Sequence, residues 1–185
     1  MKQDMIMNQM NKQKQQEARE KLSKEILEWS QGKKEMFLSI STGVGKTFNA
    51  LNIIRDTKTK KPLLILTPET TLIENFRLDA IKLGFEDLIQ DATIICYASL
   101  HKYIDIDWGV ICMDESHHTK SELRVDLLKQ LKYERIIMLS ATLEEDTEEI
   151  LSSVIPFDKF EFDTQSAIEA GILPEPKVTI VDIEL

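Results

Sequence analysis

Cysteine is scarce in this chain of 185 residues: there are two, Cys96 and Cys112, each inside an apolar run. That count and setting exclude a disulfide framework, and both read as buried free thiols. Glycine and proline are also few, six and five, which excludes collagen-like and low-complexity architectures. No apolar run approaches the roughly 18 residues of a membrane span, and the first residues lack the apolar core of a signal peptide. The expectation is a soluble, cytoplasmic chain with no membrane partner. Basic residues are outnumbered, 23 Lys and Arg against 32 Asp and Glu, for a net charge of −9. A uniformly basic nucleic-acid-coating protein is thereby excluded. A local groove is not, because phosphate contacts need only a few well-placed donors.

What is present is ordinary globular composition, 42% hydrophobic and 30% charged, in a length that suits one domain with a full core. Residues 1–11 are rich in Met, Asn, Gln and Lys without a steady period, and a frayed start is expected there. From residue 12 to 31 the pattern is helical, with Ala18, Leu22, Ile26, Leu27 and Trp29 on one side and Gly32 as the stop. Short apolar runs then recur at 36–38, 62–67, 92–100, 110–113 and 135–139, and 157–162 alternates. Helical stretches separate them at 47–55, 72–83, 121–131 and 144–154, with a small helix at 164–170 and a final strand at 177–184. This alternation implies βαβ units and an α/β fold with a mainly parallel sheet. In such sheets ligands gather at the carboxyl ends of the strands.

The polar signatures fall at those ends. After the first apolar run come Ser41, Thr42, Gly43, Val44, Gly45, Lys46 and Thr47, then a helical pattern. Strand, glycine-rich turn and helix make a phosphate cradle: the glycines admit positive φ, and the helix contributes the positive end of its dipole. Thr42, Gly43, Val44, Gly45, Lys46 and Thr47 are therefore candidate nucleotide-binding residues, with Lys46 on the β- and γ-phosphates and the Thr47 hydroxyl on Mg²⁺. Ile40 occupies the position where the strict pattern has its first glycine. After the apolar Val110, Ile111 and Cys112 come Met113, Asp114 and Glu115. Asp114 is placed to hold Mg²⁺, and Glu115 to orient or deprotonate the water that attacks the γ-phosphate. His117 and His118 lack the ligand spacing of a zinc site. His117 is instead expected to hydrogen-bond near the γ-phosphate or to the loop of Ser140 and Thr142.

These motifs together resemble the first RecA-like domain of superfamily-2 helicases and translocases, especially the DEAH-like branch that includes restriction-enzyme motor subunits. The residues carrying the resemblance are Ser41 to Thr47 (motif I), Asp114, Glu115, Ser116 and His117 (motif II), and Ser140, Ala141 and Thr142 (motif III). Gln15 with Gln16, Glu17 and Ala18 is similar to the stretch whose glutamine reads adenine, although Gln13 and Lys14 replace its Pro-Tyr. Leu66, Thr67 and Pro68 resemble motif Ia, Tyr97 to Leu100 resembles motif Ib, and Glu169 to Pro174 is similar to the segment before the interdomain linker.

The resemblance implies a single RecA-like P-loop domain over residues 12–176, with helices on both faces. Residues 177–185 would be a final strand leading to a second RecA-like domain. It implies an ATP hydrolase, with ATP and Mg²⁺ as cofactors and Lys46, Asp114 and Glu115 as the catalytic set. The motif III strand would lie between the strands of motifs I and II, coupling His117, Ser140 and Thr142. Thr67, Pro68, Ser99 and Lys102 would track a single-stranded nucleic-acid backbone, with DNA ahead of RNA. The second domain would supply an arginine finger, so this domain alone should hydrolyse ATP weakly or not at all. Two other readings stay open: another P-loop NTPase that uses no nucleic acid, and a non-enzymatic interaction module on the same fold.

Overall fold

A computed structural model of the protein describes residues 2–119 and 122–176. The expected final strand at 177–184 lies outside them. The first helix, α1 (Lys2–Trp29), starts earlier than the apolar period does. Met, Gln and Lys are good helix formers, and no breaker interrupts them. The chain then alternates as β1 (Glu35–Ile40), α2 (Lys46–Asp56), β2 (Leu63–Thr67), α3 (Thr71–Lys82), a short α4 (Glu86–Ile89) and β3 (Thr93–Cys96). After a 3₁₀ turn (Tyr97–Lys102) come β4 (Asp107–Met113), a second 3₁₀ turn (Ser116–Thr119), α5 (Glu122–Leu128), β5 (Lys132–Ser140), α6 (Glu145–Val154), β6 (Asp158–Phe162) and α7 (Thr164–Glu169).

The strands form one six-stranded sheet in the order β3-β2-β4-β5-β1-β6. Every pairing is parallel. Strands buried on both faces should be continuously apolar, and residues 36–38, 63–66, 110–113 and 136–139 are, which is why they are legible as short runs; the edge strand β6 alternates instead. Successive side chains serve opposite layers. Met36, Leu38, Ile65, Val110, Cys112, Ile137 and Leu139 enter a core with Leu22, Ile26, Ala50, Ile53 and Phe76, under α1, α2 and α3. Phe37, Leu64, Leu66, Ile111, Met113, Ile136 and Met138 enter a second core with Tyr97, Leu100, Leu128 and Leu151, under the 3₁₀ turn, α5 and α6. Each fully buried Leu, Ile or Phe contributes about 1.5–3 kcal/mol, and the two layers hold the sheet edge to edge. Cys96 and Cys112 are free and buried, as the sequence reading has it. Among the described residues no helix is long and apolar enough to cross a membrane.

β5 lies between β1 and β4, and Ser39 of β1 stands beside Ser140 of β5 in register. The three strand exits that carry the polar signatures therefore open side by side at one end of the sheet.

Candidate functional site

The glycine loop is anchored before it turns. The Ser41 N–H donates to the Phe162 carbonyl at 3.1 Å, and its hydroxyl lies 3.0 Å from that of Thr164. Gly43 and Gly45 then take φ of +81° and +113°, where a side chain would cost about 1–2 kcal/mol. Leu173 packs against Gly43, 3.5 Å from where a Cβ would stand. Arg19 of α1 donates from Nη1 to the carbonyls of both Gly43 and Val44, 2.9 Å each. In a trans peptide the N–H points opposite its C=O. Holding the Val44 carbonyl toward Arg19 therefore turns the Gly45 N–H away from it.

That turn follows β4. The Asp114 N–H donates to the Leu66 carbonyl at 2.8 Å, and the Glu115 N–H to the Asp114 carboxylate at 3.1 Å. Glu115 has φ +46°, and among the described residues it is the only non-glycine with positive φ. Its carboxylate meets Lys46 Nζ at 3.2 Å and His117 Nδ1 at 3.3 Å. His117 Nδ1 also lies 2.9 Å from the Ser140 hydroxyl, which in turn donates to the Thr142 carbonyl. A polar chain thus runs Lys46, Glu115, His117, Ser140, Thr142 across three strand exits. Thr142 joins it through its backbone, its side chain being exposed. Burial, with the neighbouring charge of Glu115 adding to it, pushes the Asp114 carboxyl up to about 6, against the opposing pull of Lys46.

Between loop and turn lies a cleft of about 470 Å³ lined by Thr42, Gly43, Gly45, Lys46, Thr47, Phe48, Asp79, Lys82, Leu83, Asp114 and Glu115. Its polar groups suit a magnesium-bound polyphosphate: main-chain N–H groups, a helix start, the Lys46 ammonium and the Thr47 hydroxyl on the loop side, the Asp114 and Glu115 carboxylates on the acidic turn. Two carboxylates sharing a partly desolvated wall, one of them pushed toward its neutral form, are relieved by a divalent cation. Thr47 and Asp114 would hold Mg²⁺, which when bound supplies charge neutralisation to the phosphates.

A second cavity of about 250 Å³ adjoins the cleft, lined by Gln16, Arg19, Glu20, Ser23, Val44, Gly45, Phe48 and Leu83. Its walls are mainly apolar, and it shares Gly45, Phe48 and Leu83 with the cleft. A flat ring attached to a phosphate chain fits that arrangement. Gln16 lines this cavity and donates to Glu20 at 2.9 Å, whereas Gln15 is not among its lining residues. One residue on a helix is a rotation of about 100°.

The candidate nucleic-acid residues divide. Thr67 is fully buried, and its hydroxyl donates to the Glu69 carbonyl at 3.1 Å, closing the exit of β2. Pro68 follows it, half-buried. The Ser99 hydroxyl lies 3.6 Å from the Cys96 thiol, and Lys102 is exposed at the end of its 3₁₀ turn. Reading the sequence alone misses Arg19, Asp79, Lys82 and Leu83, and names Gln16 only within the stretch around Gln15. Only Arg19 carries a signal, a cation three positions after Gln16 on the same helix, and it is indistinguishable there from a solvated arginine.

A family model described as "Type III restriction enzyme, res subunit" matches residues 8–93, just under half of the chain. That span includes the glycine loop and stops before the acidic turn. No curated protein matches in sequence. Among solved structures, the Sulfolobus solfataricus SWI2/SNF2 ATPase core in complex with dsDNA is similar with TM-score 0.58 and 20% identity, over 74% of this chain and 34% of that one. The Pyrococcus furiosus Hef helicase domain is similar with TM-score 0.55 and 16% identity, over 82% and 39%. Dbp5 of S. cerevisiae, bound to RNA and ADP BeF3, is similar with TM-score 0.57 and 12% identity, over 74% and 44%. The chain thus spans about a third to a little under a half of the length of these proteins. Its fold is that of a RecA-like helicase domain.

Proposed function

We propose that this RecA-like domain of the superfamily-2 helicase type is the Mg·ATP-binding half of a nucleic-acid-dependent ATPase motor. The observation that carries the reading is the 3.2 Å pair between Lys46 and Glu115 across the cleft, with the glycine loop behind one and Asp114 beside the other. Lys46 is shielded, its side chain 12% exposed, while Glu115 is open to 31%. In this reading a γ-phosphate replaces Glu115 as the partner of Lys46. Glu115 is then released to accept a proton from, or to orient, the attacking water. Thr42, Gly43, Val44, Gly45 and Lys46 hold the phosphates, with Thr47 and Asp114 on the metal. The adjoining apolar cavity takes the base, with Gln16 rather than Gln15 at its wall. His117, Ser140 and Thr142 relay the state of the γ-phosphate toward the strand exits.

The partner is proposed to be the backbone of a single-stranded nucleic acid, DNA ahead of RNA, running past Pro68, Ser99 and Lys102. The SWI2/SNF2 core bound to dsDNA and Dbp5 bound to RNA support nucleic acid as the class. A second RecA-like domain would supply the arginine that completes the site, a contribution on the order of 10³–10⁵ in rate in related NTPases. This half alone would bind Mg·ATP and turn it over slowly. Residues 12–176 are taken as the ATP-binding domain, the rest leading to its partner, in a cytoplasmic setting.

Calorimetric titration with Mg·ATPγS, for wild type and Lys46→Ala, tests the reading. ATP turnover is followed in parallel with and without single-stranded DNA or RNA. Binding to wild type that is lost in Lys46→Ala, with slow turnover, is the expected result. Absence of nucleotide binding to a folded wild-type chain would overturn it. Turnover that is brisk and indifferent to nucleic acid would favour a P-loop NTPase of another kind.

A further inference from the structure

We infer that Tyr97 is a positioning residue that fixes the Asp114–Glu115 peptide, so that the turn carrying Ser99 and Lys102 and the acidic turn of the cleft move as one body. The inference rests on the nucleotide reading above. Tyr97 is the first residue of the 3₁₀ turn after β3, and it is 1% exposed. Its phenol donates to the main-chain carbonyl of Asp114 at 2.9 Å. β3 and β4 are not neighbours in the sheet, because β2 lies between them. The bond therefore reaches over the end of β2, while the Leu66 carbonyl of β2 takes the Asp114 N–H at 2.8 Å. Both main-chain groups of Asp114 are thus held, one by each of two strand exits.

What they hold is a conformation that does not hold itself. Glu115 at φ +46° is in the left-handed region, which for a non-glycine residue costs on the order of 1–3 kcal/mol and persists only where its surroundings over-determine it. The plane of the Asp114–Glu115 peptide sets where the Glu115 side chain leaves the turn. Its carboxylate meets Lys46 and His117 within 3.3 Å, so the orientation of that plane bears on both contacts. Packing alone does not call for the hydroxyl: phenylalanine would fill the same pocket, and a buried phenol without a partner would be a penalty. The phenol remains a donor throughout the working pH range, since burial foremost, and the Asp114 charge next, push its ionisation well above the ordinary tyrosine value.

The consequence is directional. Ser99 and Lys102 lie two and five residues beyond Tyr97 in the same 3₁₀ turn. A ligand that seats on that turn shifts Tyr97, and Tyr97 shifts the peptide that aims Glu115. The acidic turn is thereby tied to the nucleic-acid-facing side by a second connection, distinct from the one through His117 and Ser140.

Tyr97→Phe tests this in the chain as it stands. Amide resonances of Glu115 and Ser116 are expected to move, while those of Gly43 and Gly45 stay in place. The Mg²⁺-dependent part of ATPγS affinity is expected to weaken about tenfold, as for the loss of one well-placed hydrogen bond, with Mg²⁺-free affinity unchanged. Addition of oligo-dT should perturb the Glu115 resonance in wild type and leave it alone in Tyr97→Phe. Unmoved Glu115 and Ser116 resonances in the variant would overturn the inference. Should the variant fold poorly, a slowly exchanging Tyr97 hydroxyl proton in wild type supports the bond, and a freely exchanging one removes it. A wild type that binds no nucleotide defeats the functional reading by itself, and the resonances still decide the role of Tyr97.

Discussion

The two ends of the sheet use charge in opposite ways. At the amino end, Arg135 of β5 donates from Nε to the Lys33 carbonyl at 3.0 Å, from Nη1 to the Thr57 hydroxyl at 2.6 Å and from Nη2 to the Ser30 carbonyl at 2.7 Å. One guanidinium thus joins the end of α1, the entry to β1 and the end of α2, where helix carbonyls favour a cation. At the carboxyl end, Lys46 meets a carboxylate, Glu115, which also contacts His117. Backbone carbonyls cannot leave a cation without unfolding the elements that carry them. A carboxylate on a side chain can, given a better anion. The first arrangement is stability, and the second, in the function proposed above, is a site held ready for exchange.

The largest expected effect breaks the amino end. Arg135→Ala removes three hydrogen bonds and leaves two carbonyls without their donor, a cost of about 3 kcal/mol. In a chain of this size that is a fall of roughly 10 °C in melting temperature. Nucleotide affinity of the folded fraction should be unchanged, as isothermal titration below the transition would report. If affinity fell in step with stability, the two ends would not be separable.

A smaller effect, of opposite sign, sharpens the contrast. Asp114 has its folded pKa raised from 3.8 to about 6. Below about pH 4 it is protonated in folded and unfolded chains alike, and its contribution to stability is intact. As pH rises through 6 the folded chain gives up a proton that it holds more tightly than the unfolded chain does, and stability is lost. Asp114→Asn should therefore stabilise the nucleotide-free chain at pH 7 by on the order of 1–2 kcal/mol. The gain should vanish near pH 4. Denaturant titrations at the two pH values check it; an unchanged or lowered stability at pH 7 would mean that Asp114 is not strained.

Smallest is the change at Arg19. Arg19→Ala should reduce nucleotide affinity by about five- to tenfold, through loss of two hydrogen bonds to the loop carbonyls, with little change in melting temperature because α1 is packed by Leu22 and Ile26. Equal affinity for the two chains would show that the loop holds its shape without the clamp.

Legibility in the sequence follows the range of the interaction. The glycine loop and the Asp114–Glu115 pair are local patterns, each set by its own strand exit, and both were readable along with the order of short apolar strands. The apolar run shows β4 only from Val110, because Gly109 interrupts it in a strand that begins at the exposed Asp107. The short helix Glu86–Ile89 has too few residues to show a period. Arg19 reaches the loop across 24 residues of sequence, and Tyr97 reaches Asp114 across 17. Neither spacing is a motif; each exists only once the sheet has brought two exits together. Thr67 shows the converse: its place at a strand exit suggests a backbone contact, and which partner its hydroxyl takes, the Glu69 carbonyl at 3.1 Å, is visible only in the fold.

The central claim is that Lys46 exchanges Glu115 for a phosphate. Thermal unfolding with and without Mg·ATP tests it most directly, because a ligand that binds only the folded chain stabilises by about 2.7 kcal/mol at one hundred times its dissociation constant. Wild type should gain several degrees with Mg·ATP, Arg135→Ala should gain as much from its lower starting point, and Lys46→Ala should gain nothing. An equal gain in Lys46→Ala, or none in wild type, would contradict the account.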